Sequence, residues 1–202
     1  KERYRMKKIL IALIIIVPIA ITGFLGYDFF KKNFAHVHGI IMYSDNKDEA
    51  DTILENNKKY IDKSLTVEGK YSSKSDVLVL NTQAANKLIN EKVFNNVTKK
   101  GDKFKFKTVE NLSAEPALWT GKEDKTITDD KGQSVKPKST KYIVLGEYSA
   151  TSKLLILNDE DYQKFDAKAK FVSVIKEKRD ADKVLKSYIT SGSIPSQIFP
   201  YK

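Results

Sequence analysis

The run from Ile9 to Tyr27 carries no charged side chain. A helix needs about 20 apolar residues to cross a hydrocarbon layer of ~30 Å, and this run has that length. Directly before it stand Lys1, Arg3, Arg5, Lys7 and Lys8, the basic excess that holds a flank in the cytoplasm. Directly after it come Tyr27, Phe29 and Phe30, then Lys31 and Lys32, aromatic and basic anchors suited to a membrane–water interface. Pro18 is tolerated within a membrane helix. Gly23 and Gly26 offer a small-residue face through which such a helix can meet another. The expected order is a cytoplasmic basic flank at 1–8, a transmembrane signal anchor at 9–30, an extracytoplasmic domain at 31–190 and an extended tail at 191–202.

A cleaved signal peptide has a shorter apolar core and a small-residue cleavage site. Here the small residues Ala20, Thr22, Gly23 and Gly26 are interrupted by Ile21, Phe24 and Leu25. A retained anchor is therefore expected, with cleavage, or the first span of a larger protein, as the alternatives. The 202 residues include no cysteine. Lipid attachment at a cysteine, thiol catalysis and Cys-ligated metals thus have no acceptor among them.

The outer part suffices for one domain with its own core. Its mix of apolar and charged residues is that of a globular chain. The net charge is +10; five basic residues and one acid in 1–8 supply +4, which leaves +6 for the rest. A mildly positive surface outside the membrane suits anionic polymers, head groups or an acidic partner, although it equally serves only solubility. No nucleic-acid partner is expected. Phe104 and Phe106, set among lysines, read as the buried face of a half-buried strand.

The periodicity predicts an α/β or α+β domain with a mixed sheet and packed helices. An apolar strand at 36–43 ends at Ser44-Asp45-Asn46, and Ala50, Ile53 and Leu54 recur at helical spacing over 46–60. Leu65, Val67 and Tyr71 alternate as a strand, and Val77 to Leu80 is a continuous run of the fully buried type. Asn81 or Thr82 caps a helix with Ala85, Leu88 and Ile89 inward, extending to about Phe94. The second half is richer in strands, at 104–108, 142–146, 153–157 and 171–175. Short helices follow Asn158 and span 180–190. Residues 120–141 are polar and turn-rich and read as a projecting hairpin or loop.

The inventory of reactive groups is thin. His36 and His38 share one side of an extended segment, but no third ligand stands at a metal-site spacing. Ser44 to Lys47 and Ser173 to Lys176 both spell Ser-x-x-Lys without the companion motifs of penicillin-binding enzymes. Asp159, Glu160 and Asp161 complement a helix dipole. No catalytic residue, metal or cofactor is expected. Trp119, the one tryptophan, reads as a core residue or as a partner-binding anchor. With Lys122, Lys125, Lys131, Lys136 and Lys138 it forms the candidate partner-binding set. Lys7, Lys8, Gly23, Gly26, Tyr27, Phe29 and Phe30 form the membrane set.

Two segments carry resemblances. Residues 75–94, an Asp-led apolar strand giving way to a helix and a Phe exit, resemble a segment of bacterial extracytoplasmic solute-binding proteins. Residues 153–165, a strand leading to an Asp-Tyr helix start, are similar to extracytoplasmic domains of permeases for antimicrobial-peptide export and resistance. Both resemblances imply non-catalytic work beside a transporter in a Gram-positive envelope. The expected function is therefore a membrane-anchored accessory or binding protein acting with a membrane complex such as a transporter permease. The alternatives are an immunity or inhibitor protein that captures a toxin or peptide, and a cell-wall enzyme.

Overall fold

The computed structural model describes residues 37–100, 103–112, 117–119, 126–137, 139–147, 150–151 and 153–200. The chain from Val37 onward is one unit of α+β class, built on a mixed sheet. The apolar run at 9–27, with all seven residues of the membrane set, lies outside the described residues. Among the described residues no helix is long and apolar enough to cross a membrane.

The first half follows the predicted β-α-β-β-α order. Strand β1 (Gly39–Ser44) is buried along its whole length. Helix α1 (Lys47–Asn57) starts where the Asn46 side chain accepts from the Asp48 and Glu49 amides, satisfying donors that the helix itself leaves free. A 3-10 turn (Lys58–Tyr60) then leads into β2 (Ile61–Ser72), the longest strand. After a turn at Asp76, β3 (Val77–Asn81) runs inward and Asn81 caps α2 (Thr82–Asn90) through the Ala84 amide. Helix α2 ends sooner than its apolar spacing suggests. Lys92 takes a left-handed φ of 58°, which breaks the helix, and Phe94 opens a strand instead.

That strand, β4 (Phe94–Lys100), pairs with β5 (Lys103–Thr108) and with β10 (Ile143–Leu145) in a three-stranded sheet of order β10-β4-β5. Between β5 and β10 lie β6 (Ala117–Trp119), the two-residue strands β7 (Ile127–Thr128) and β8 (Ser134–Val135), and β9 (Ser139–Lys141). The chain continues through β11 (Lys153–Leu157), α3 (Asp159–Lys164), β12 (Lys168–Glu177), α4 (Ala181–Val184), a 3-10 turn (Leu185–Tyr188) and β13 (Gln197–Phe199). The helix expected over 180–190 is thus one short helix plus a tighter turn. The tail bends through 191–194 before its strand β13 pairs with β1.

The large sheet runs β13-β1-β12-β2-β3-β11-β6-β9. Only β3 with β11 and β6 with β9 are parallel. Side chains alternate across the pleat, so the sheet has two faces. On one, Ile41, Tyr43, Val67, Leu78, Leu80, Leu154, Ile156, Val172 and Val174 meet Ala85 and Leu88 of α2, together with Phe94, Ile143 and Leu145 of the small sheet. On the other, Val77, Val79, Leu155 and Leu157 meet Tyr162 and Phe165 of the α3 segment and Ile127 of β7. Strands β3 and β11 read as continuous apolar runs because they are covered on both sides.

Gly39 lies where β13 closes over β1. A Cβ there would stand 2.4 Å from the Phe199 carbonyl oxygen and 2.5 Å from its ring, so the edge strand would have to move. Gly39→Ala is expected to lower stability by about 1–3 kcal/mol, measured by urea unfolding. An unchanged midpoint would show that β13 does not hold this position.

Candidate functional site

Two buried charges fix the ends of β12. Glu177 is 1% exposed. Its carboxylate accepts from Arg179 Nε at 2.9 Å and Nη2 at 3.0 Å and from the Tyr188 hydroxyl. Arg179 also donates to Asn57 at 3.3 Å and stacks 3.6 Å above the Tyr60 ring. His38 Nδ1 donates to the Arg179 carbonyl at 3.0 Å. Burial alone pulls the Glu177 carboxyl upward, but donation from Arg179 and Tyr188 outweighs it and holds the group below its ordinary value. Burial and the same contact push the Tyr188 hydroxyl well up. At the other end, Lys170 is 1% exposed and pairs with Asp45, which directly follows the end of β1. Tyr71 lies under the Lys170 ammonium and donates to Asp76. Burial lowers Lys170 and lifts Tyr71 to about 12.

These groups are paired with one another, and they tie loops to the sheet. The Ser-x-x-Lys spacings likewise bring no serine to its lysine. Ser44 donates to Glu49 at 2.5 Å while Lys47 pairs with Asp51. Ser173 meets Thr66 at 2.8 Å while Lys176 pairs with Asp62. His36 lies outside the described residues.

Of the candidate partner-binding set, Lys131, Lys136 and the Trp119 backbone fall within the described residues. The Trp119 backbone closes β6, opposite Leu154 of β11. Lys131 and Lys136 are exposed at the β7–β8 hairpin, Lys131 pairing with Asp166 at 3.0 Å. Lys122, Lys125 and Lys138 lie outside the described residues. The hairpin itself is docked rather than projecting. Ile127 is buried, and Asp129, 1% exposed, accepts from the Gln133 and Asp166 amides. Ser72 and Ser75 add hydrogen bonds to Asp130 and to the Thr128 carbonyl. The sequence shows its polarity but not its acceptor-rich turn gripping a neighbouring element.

The exposed feature that sequence reasoning placed wrongly is β5. Phe104 and Phe106 are 45% and 39% exposed, not the buried face of a strand. Alternation identifies a strand but not which side is covered, and β5 is the outer strand of its sheet. Phe106 stands opposite Val97, and Phe104 opposite Lys99. The β4–β10 register, extended by the Val97 amide bond to the Tyr142 carbonyl, puts Tyr142, 38% exposed, on the same face. Lys99 sits 5.9 Å over the Phe104 ring; Lys105 and Lys107 are exposed on the reverse side of the strand.

A small cavity of about 10 Å³ lies between the sheets, lined by Tyr43, Leu78, Leu145, Ala150 and Leu154 among others. It has room for about one water. Nearby, Gln197 links the Tyr43 hydroxyl to the Leu145 carbonyl, and burial lifts the Glu147 carboxyl to about 7.

The described residues from Val37 onward form an α+β domain on a mixed sheet. Residues 37–202 match the model of an uncharacterised lipoprotein family, and the chain belongs to it. No curated protein matches. A 1.5 Å crystal structure of a candidate lipoprotein from Bacillus anthracis shares the fold, with TM-score 0.65 and 20% identity over 82% of this chain and 99% of that one. Membership supports a membrane-associated, surface-exposed location; neither the solute-binding nor the permease resemblance is part of it.

Replacing Glu177 by Gln leaves Arg179 without its buried anion. Breaking such a pair costs about 3–5 kcal/mol, so Glu177→Gln is expected to destabilise by that order at neutral pH. A lowered carboxyl contributes stability that is lost as pH falls through its folded value. The deficit of the variant should therefore shrink below the ordinary glutamate value of 4.5. Urea midpoints across that range check it; a pH-independent deficit would contradict the ion-pair account.

Proposed function

We propose that this protein is a membrane-anchored, non-catalytic accessory protein of a Gram-positive cell envelope, acting outside the cytoplasm with a membrane partner such as a transporter permease. One observation carries the reading. Residues 37–202 match the model of a lipoprotein family, and the uncharged run Ile9–Tyr27 that precedes them has the length a helix needs to cross a bilayer. The pairing of Ser44, Ser173 and the buried ionisable groups with other side chains favours binding over turnover. Of the alternatives, toxin or peptide capture needs no second membrane protein, which separates it experimentally.

The test is affinity purification of the full chain from its own membranes in mild detergent, with mass spectrometry. A stoichiometric membrane protein is expected, and its recovery should fall at least fivefold in Trp119→Ala/Lys131→Glu/Lys136→Glu. Recovery of the chain alone contradicts the accessory reading. Undiminished recovery in the variant removes these residues from the contact.

A further inference from the structure

We infer that Lys170 Nζ and the Asp45 carboxyl condense into an intramolecular isopeptide bond, a modification that the chain makes on itself and that joins the end of β1 covalently to β12. The bond stands apart from the accessory reading above and does not depend on any partner.

Three observations converge. First, Lys170 is buried with its charge largely unmet. An ammonium has three donors, yet the Lys170 side chain, 1% exposed, has Asp45 as its one hydrogen-bond partner among the described residues. Otherwise its ammonium faces the Tyr71 ring, 5.2 Å away. Lys70 is treated differently, for it donates to the Tyr162 and Phe165 carbonyls at 2.7 Å each. A buried ammonium with spare protons is costly, whereas an amide in its place carries one N–H and no charge. Second, the fold delivers the two groups to each other. Ser44 closes the β1–β12 ladder opposite Phe171, which leaves Asp45 and Lys170 as the adjoining residues of the two strands. The turn that carries Asp45 is pinned, since the Asn46 amide donates to Ser44 Oγ at 3.1 Å and the Asn46 side chain caps α1. Third, the other acids close to these residues are engaged. Glu49 accepts from Ser44 and from the Ser191 amide at 2.7 Å, and Asp76 accepts from Tyr71 at 3.0 Å.

The step balances within the pair. Burial favours the neutral forms of an amine and a carboxyl in contact, and it lowers the Lys170 ammonium, so a proton passes from Nζ to the carboxylate. The amine lone pair then attacks Asp45 Cγ, the C–O bond breaks, and the hydroxyl leaves with a second nitrogen proton as water. One C–N bond forms and one water is released, with no oxidant or activating group required. Such condensation is uphill between free solutes in water. Groups held in contact reach effective concentrations of roughly 10⁵–10⁸ M, which offsets it. The Asp45 side chain is 50% exposed, and the released water leaves on that side.

The experiment incubates the folded full chain at neutral pH, then reads its intact mass under denaturing conditions and its tryptic peptides. The product is expected to be one water lighter than its sequence requires. Trypsin should release a branched peptide joining 33–47 to 169–176, uncut at Lys170. Lys170→Arg keeps the ion pair but has no amine to condense, and it should restore the full mass, as should Asp45→Ala. Comparing each variant with the parent chain cancels any processing at the N-terminus. Full mass with ordinary cleavage after Lys170 overturns the bond and leaves an ion pair. A water loss that persists in Lys170→Arg, without the branched peptide, overturns it equally, because the dehydration then lies at another residue.

Discussion

Pairing of β2 with β12 is the constraint on which the rest depends. Ten residue pairs run antiparallel from Lys168–Tyr71 to Glu177–Ile61, the longest ladder in the domain. It sets the alternation of every residue on both strands, and with it which face each neighbour covers. Gly69 belongs to this ladder, opposite Lys170, and a Cβ there would meet Leu80 and the Val79 carbonyl at 2.7 and 2.8 Å. Close approach of β3 to β2 is possible only because that position has no side chain. Strand β1 then pairs on one side of β12 and β3 on the outer side of β2, so both apolar layers are laid out from this one pair.

The two ends of β12 are secured differently. The Glu177 end is a closed network in which a buried carboxylate, a stacked guanidinium and a tyrosine hydroxyl draw α1, both 3-10 turns and β12 together. The Lys170 end opens to a half-exposed Asp45. Buried pairs of this kind contribute less to net stability than to the uniqueness of the arrangement, because desolvation offsets their attraction. A domain fixed in this way presents its exposed strands in one orientation.

Much of this was legible in the sequence, for identifiable reasons. Val77 to Leu80 and Leu154 to Leu157 are apolar on both faces because both faces are covered, and a continuous run states this directly. Asn46, Asn81 and Asn158 announce their helices because a short side chain accepting an amide has few other uses at that place. Phe104 and Phe106 were not legible in this way. Their alternation with lysine gives the strand, but whether a layer lies over it is decided by chain far away in sequence. The docking of 127–135 was hidden for the same reason, since Asp129 looks like any turn aspartate until Asp166 stands beside it.

We propose that residues 37–202 are held at the outer surface by a retained N-terminal segment. The lack of cysteine makes single-cysteine labelling its most direct test. Arg3→Cys and the exposed Glu55→Cys would be treated in intact cells with a membrane-impermeant maleimide. Labelling is expected at 55, with none at 3 until the membrane is opened, and with a mature chain that still contains residues 9–30. Labelling at 3 from outside, or a mature chain lacking the apolar segment, would contradict it.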